Sequence, residues 1–190
     1  MFTCIDLFSG AGGLSSELIK EGIVSKVAIE IEKDFAETFK LNHKNCNVIN
    51  DDINNIDFYK LARKQTSGTF DLVCGGPPCQ GFSTVGKKNE KDSRNSLFWQ
   101  FLRAVKEINP KMVLFENVSG FKKLYKSIAY NTFKLELNKL GYQVKSKILN
   151  AADYGTPQHR KRTFIVGFKE GIDFYFPFPT HSQDGDMSTK

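Results

Sequence analysis

Strand-like and helix-like segments alternate along most of this chain, and that alternation limits the possible folds more than any single residue does. Residues 2–8 read as a first strand that runs into a glycine turn. Helical spacing follows over 14–21, a second strand over 25–31, and a helix over 34–42 with Asp34 as its cap and Phe35, Ala36 and Phe39 on one face. A short strand at 47–49, a helix at 56–63 and a strand at 70–74 continue the pattern. Residues 81–93 are polar, contain glycine and lack periodicity, which predicts a long loop. A helix over 96–108 stops at Asn109-Pro110, a strand covers 112–115, and a helix over 125–140 is stopped by Gly141. Two β segments, 142–149 and 162–168, then follow with no helix-length spacer, so an antiparallel terminal pair is expected. The predicted architecture is α/β: a doubly wound, mostly parallel sheet covered on both faces.

A chain of 190 residues is long enough for one domain with a real core, expected over 1–180, with 181–190 as a polar tail or the start of a further region. No apolar run approaches the ~20 residues that span a bilayer, and Met1 leads into a strand without a basic leader, so neither a membrane segment nor a signal peptide is read. Four cysteines, Cys4, Cys46, Cys74 and Cys79, show no paired metal spacing; reduced thiols in the cytoplasm and no metal are the expectation. His43 and His159 have no metal partners at a useful spacing and read as ordinary polar residues. The net charge of +6 is compatible with a polyanionic partner without establishing one.

The first strand opens into Asp6-Leu7-Phe8-Ser9-Gly10-Ala11-Gly12-Gly13-Leu14-Ser15. Strand, glycine turn and helix together make the usual entry to a nucleotide-cofactor site, where the backbone approaches the ligand closely. Ser15 stands where the dinucleotide fingerprint wants a third glycine or an alanine. Glu30, at the end of the second strand, is placed to bind ribose hydroxyls, or is a surface glutamate. Ile31 could pack on an adenine face, and Asp52-Ile53 follow the third strand where an acid could accept from an exocyclic amine, with Asp51 competing for that role. Such a pocket suits a nicotinamide dinucleotide and S-adenosylmethionine equally.

Past the fourth strand comes Gly75-Gly76-Pro77-Pro78-Cys79-Gln80-Gly81-Phe82-Ser83. Two prolines hold the approach to the thiol stiff and extended, so Cys79 is presented at the carboxyl edge of the sheet, where open α/β proteins place their chemistry. Glu116-Asn117-Val118 follow the fifth strand and would meet Cys79 at the same edge; a carboxyl there often has a raised pKa and acts as an acid. Gln158, Arg160 and Arg162 share one face if their segment is extended, and two guanidiniums can hold a carboxylate or phosphate and lower a neighbouring thiol's pKa.

In this order, these motifs resemble the cytosine-5 DNA methyltransferases over roughly residues 3 to 180. The resemblance implies a Rossmann-like, class I S-adenosylmethionine-dependent methyltransferase fold. It implies a cofactor, S-adenosylmethionine, held by Asp6, Phe8, Ser9, Gly10, Ala11, Gly12, Gly13, Leu14, Glu30, Ile31, Asp52, Ile53 and Pro77. It implies catalysis by Cys79, Glu116, Arg160 and Arg162 on a cytosine flipped out of duplex DNA, with Pro78, Gln80, Ser83, Asn117, Val118 and Gln158 contacting substrate. The loop from Phe82 to Asn95 would close over the base, and the setting implied is a bacterial restriction-modification system in the cytoplasm. Family members usually continue with a target-recognition domain and two further motifs, which nothing after Pro179 resembles. The chain is therefore expected to be a catalytic half that needs a second chain or region and methylates poorly alone. An RNA methyltransferase of the same lineage shares the core, and a non-enzymatic cofactor-binding module is the rival of a different class.

Overall fold

The computed structural model describes residues 1–66, 68–78 and 97–181, with residues 123–126 described by backbone alone. The described elements are β1 (Phe2–Leu7), α1 (Gly13–Lys20), β2 (Ile23–Glu30), α2 (Lys33–Asn42), β3 (Asn47–Asn50), α3 (Phe58–Arg63), β4 (Leu72–Gly75), α4 (Leu97–Ile108), β5 (Met112–Val118), α5 (Ile128–Lys139), β6 (Gln143–Asn150) and β7 (Lys161–Phe168). Single 3₁₀ segments at Ile53–Asn55 and Ala151–Tyr154 and a longer one at Ser119–Ser127 connect them.

One seven-stranded sheet runs β3-β2-β1-β4-β5-β7-β6. The first five are parallel; β7 lies between β5 and β6 and is antiparallel to both. The chain leaves β1 in one direction to make β2 and β3, then crosses back to make β4 and β5. That reversal is a topological switch point, and it opens a crevice beyond the carboxyl ends of β1 and β4.

The central strands are β-formers buried on both faces: every residue of β4 is buried, as are the last four of β1 and of β2. One face carries most of the core, packed by α3, α4 and α5. There Phe115 of β5 meets Phe133 at 4.3 Å, Phe101 at 5.2 Å and Phe121 at 5.2 Å between ring centroids. Each such aromatic pair adds about 0.5–1.5 kcal/mol beyond its buried area. Side chains alternate along a strand, so this anchoring of Phe115 turns Glu116 to the other face.

The expected order of strands and helices is present, with differences at several boundaries. Asp34 does not cap α2; Glu32 occupies that position, without a side-chain hydrogen bond, and Asp34 lies in the first turn. The helix expected from residue 56 begins at Phe58, where the Asp57 carboxylate accepts from the Lys60 amide. The helix expected from residue 125 begins at Ile128, after the 3₁₀ segment. β5 runs to Val118 instead of ending at Phe115, because Glu116, Asn117 and Val118 pair with Phe164, Thr163 and Arg162 of β7. The predicted 81–93 loop lies outside the described residues. Among the described residues no helix is long and apolar enough to cross a membrane.

Candidate active site

A cavity of roughly 590 Å³ occupies the crevice. Phe8 and Gly10 line it from the turn after β1, Glu30, Ile31, Glu32 and Phe35 from the end of β2 and the start of α2, and Asp51, Asp52 and Ile53 from the stretch after β3. Gly76 and Pro78 follow β4 on its far wall, with Leu97 at the start of α4.

The glycine turn is built tightly. Phe8 has φ 57° and Gly10 φ 54°, so the chain reverses through the left-handed region immediately after β1. A non-glycine residue held there costs on the order of 1–3 kcal/mol, and such strain clusters at ligand sites. Glu30 fixes the turn: its Oε2 accepts from the Gly10 amide at 2.7 Å and its Oε1 from the Glu32 amide at 2.9 Å. Gly12 must be glycine, since a Cβ there would lie 2.5 Å from His43 Nε2 and 2.8 Å from the Phe39 ring. His43, read from sequence as an ordinary polar residue, is buried under the turn, with Nε2 3.2 Å from the Gly12 carbonyl oxygen and 3.3 Å from Ser16 Oγ. No spacing signal marks it.

Asp6 sits beneath this turn and does not line the cavity. Ser15 Oγ donates to its Oδ2 at 2.6 Å, Ser15 Oγ lies 2.7 Å from Ser25 Oγ, and Ser25 Oγ lies 3.1 Å from Cys4 Sγ. Burial, reinforced by the charge of Glu30 and opposed by the Ser15 bonds, pushes the Asp6 pKa up to about 7. Ser15, which breaks the dinucleotide fingerprint, is therefore the partner of this buried acid.

Of the other residues expected at a cofactor, Phe8, Gly10, Glu30, Ile31, Asp52 and Ile53 face the cavity. Ser9, Ala11, Gly12, Gly13, Leu14 and Pro77 are not among its lining residues; Leu14 packs against the apolar cluster of Cys4, Leu72 and Cys74. Asp52 and Asp51 both line it. The half-exposed rings and methyls of Phe35 and Ile31 give an apolar mouth. Phe35 reads in the sequence only as part of a helix face.

Beyond β4 the chain passes directly over Glu116. A Cβ on Gly76 would lie 2.8 Å from Glu116 Oε2. Asn117 Nδ2 donates to the Pro77 carbonyl at 3.1 Å, and Asn117 Oδ1 accepts from the Val118 amide at 2.8 Å, so the strand after Glu116 tethers the Gly-Pro-Pro run. Arg162 Nε reaches Glu116 Oε1 at 3.0 Å. Burial raises the pKa of Glu116, against the opposing charges of Arg162 and Arg160 and the Arg162 hydrogen bond. Gln158 and Arg160 precede β7 in two tight turns, with Gln158 N bonded to the Thr156 carbonyl and Arg160 N to the Gln158 carbonyl, instead of an extended face. Cys79, Gln80 and Ser83, and the loop expected to close over a base, lie outside the described residues.

A seven-stranded doubly wound sheet with an antiparallel seventh strand inserted between the fifth and sixth, and a nucleoside-sized cavity at its switch point, is the architecture that the structure shares with class I S-adenosylmethionine-dependent methyltransferases. A protein described as a DNA modification methyltransferase encoded within an Escherichia coli prophage has this structure at TM-score 0.80 and 32% identity, over 92% of this chain and 49% of that one. DNMT2 of Spodoptera frugiperda shares the fold at TM-score 0.74 and 22% identity, over 94% of this chain and 53% of that one. Residues 2–190 match the family model of the C-5 cytosine-specific DNA methylases, and the chain belongs to that family. The Type II methyltransferase M1.HphI of Haemophilus parahaemolyticus is 39% identical over 184 residues, which are 95% of this chain and 50% of the relative. M.AquIA of Picosynechococcus is 40% identical over 188 residues, 93% of this chain and 76% of the relative. The chain thus spans about half the length of M1.HphI and a larger share of M.AquIA.

The residues present fit the cofactor that this family implies. Ser9 Oγ is buried with no hydrogen-bond partner among the described residues, one residue from the Gly10 that lines the cavity.

Proposed function

We propose that this chain is the catalytic half of a bacterial DNA cytosine-5 methyltransferase of the restriction-modification type, acting in the cytoplasm through a covalent bond between Cys79 and the base. The observation that carries this reading is Glu116: a partly buried acid, paired with Arg162 at 3.0 Å, lying against the Gly76 backbone that leads to Cys79.

When bound, S-adenosylmethionine supplies the methyl group. Phe8, Gly10, Glu30, Ile31, Asp52 and Ile53 would hold it, with Ser9 offering its unpartnered hydroxyl. The chain's own groups prepare the ring. The target cytosine must leave the duplex stack, because its ring carbons are shielded there. The Cys79 thiolate bonds to ring carbon 6, and the electron pair displaced into the ring is met at ring nitrogen 3 by the Glu116 proton. Burial keeps that proton on Glu116 at higher pH than an ordinary glutamate would. Carbon 5 thereby becomes nucleophilic. Once carbon 5 has gained the methyl group, a base removes the proton still bound there, the carbon 6–sulfur bond breaks and the nitrogen 3 proton returns to Glu116, which restores the aromatic ring, the acid and the free thiolate. Arg162 orients Glu116, Arg160 faces the base or its phosphate, and Pro78, Gln80, Ser83, Asn117, Val118 and Gln158 frame the substrate.

Because several relatives are about twice as long, sequence-specific DNA binding is proposed to need a further region, on the same or a second chain. The test is trapping on duplex DNA containing 5-fluorocytosine with labelled cofactor. The chain alone is expected to bind S-adenosylhomocysteine, to bind DNA weakly and to give little adduct. Supplying the remaining region should raise the yield, and Cys79→Ser should abolish it. Adduct formation by Cys79→Ser, or methylation of transfer RNA in place of DNA, would overturn the reading.

A further inference from the structure

Arg103 leaves the middle of α4 and crosses to a turn far earlier in the chain. Its Nη2 donates to the Ile53 carbonyl at 2.7 Å and its Nη1 to the Ile56 carbonyl at 3.0 Å. Gln100 Oε1 accepts from its Nε at 2.6 Å, Glu107 approaches Nη1 at 3.4 Å, and the guanidinium carbon lies 4.7 Å from the centroid of the Phe58 ring. The guanidinium plane is thus fixed by its own helix and by a ring, and its outer fork closes on both ends of the 3₁₀ turn Ile53–Asn55.

A three-residue 3₁₀ turn has weak hydrogen-bond geometry and little stability of its own. This one has a second anchor: Asp52 Oδ1 accepts from the Asn54 amide at 2.9 Å and from Asn54 Nδ2 at 2.7 Å. No described residue donates to Asp52 Oδ2, while Asp52 and Ile53 both line the cavity. Leu97, at the start of the helix that carries Arg103, lines it too. Arg103 therefore ties a helix that supplies one wall to the turn that supplies another. A planar fork presents donors to two carbonyls in a fixed geometry, where a lysine ammonium is a single compact charge on a flexible stem.

We infer that Arg103 is a positioning residue for the purine of the cofactor: it holds the turn so that the remaining acceptor of Asp52 faces a hydrogen-bond donor on the edge of the ring. The inference rests on the nucleoside reading of the cavity and goes beyond it by naming the side chain that aims the Asp52 acceptor.

The test is titration calorimetry with S-adenosylhomocysteine and with its analogue bearing a carbonyl in place of the purine amine. Arg103→Lys should weaken S-adenosylhomocysteine by about fivefold or more and Arg103→Met by about tenfold or more, with either changing the carbonyl analogue less than about twofold. In an Asp52→Asn background, Arg103→Lys should cost less than about twofold for either ligand. Equal losses for both ligands, an undiminished loss in the Asp52→Asn background, or no loss at all would show that Arg103 merely braces the fold. If Arg103→Met does not fold, the Arg103→Lys comparison decides. Failure of the unmutated chain to bind either ligand overturns the cofactor reading itself, a result distinct from any of these.

Discussion

Asp6 and Glu116 are two carboxyls on one sheet, near the ends of β1 and β5, and burial raises the pKa of both. Their surroundings then diverge. Asp6 is sealed, bonded to a serine hydroxyl, with a second carboxylate as its charged neighbour and no cation among its influences. Glu116 is partly open, and two guanidiniums work against its burial. The first is a hydrogen-bonding strut under the glycine turn. The second is open enough to meet a ligand, and the role proposed for it is to give up a proton there while its counter-charge keeps it oriented. Closure and neighbouring charge, not the chemical group, separate the roles.

Ranked by effect on turnover, three substitutions probe this contrast. Glu116→Gln, in the complete protein, should lower methyl transfer by about 10²–10⁴-fold, the span of a lost general acid, and leave S-adenosylhomocysteine affinity within about threefold. Single-turnover kinetics and calorimetry measure both, and a loss under about tenfold would remove Glu116 from the chemistry. Gly76→Ala should act on the same group indirectly: its methyl pushes Glu116 Oε2 away while the fold keeps its melting temperature within about 2 °C. Turnover should fall by about tenfold; an unchanged rate would mean the carboxyl has room to move.

Asp6→Asn should leave turnover least affected and change stability instead. The folded pKa of about 7 stands above the ordinary 3.8, so the folded state keeps a proton that the unfolded chain releases. That contribution is full below the ordinary value and is lost as pH rises through about 7, on the order of 4 kcal/mol in all. Urea unfolding across this range should show stability falling with pH in the parent and a flatter curve in Asp6→Asn. Equal slopes in both proteins would mean that Asp6 is ionised when folded.

The order of strands and helices was legible because buried parallel strands are short apolar runs, and Gly141 and Asn109-Pro110 mark helix ends plainly. The polar pair Glu116-Asn117 concealed the end of β5: its ladder partners lie on β7, and pairing at that distance leaves no local trace. The glycine turn and Glu30 announced themselves by spacing, yet the reason for Ser15 appears only once Asp6 is seen to be closed off from the cavity. His43 and Arg103 gave no signal. Each acts through backbone carbonyls contributed by a distant segment, and a carbonyl has no residue identity to read.

The reversed direction of β7 brings its first residues to the carboxyl edge, and the ladder from Met112↔Phe168 to Val118↔Arg162 locks them in register there. The hairpin tip before it, around Gly155 to His159, hangs beyond that lock. The guanidinium opposite Glu116 is thus held by a paired strand and not by the turn that delivers it.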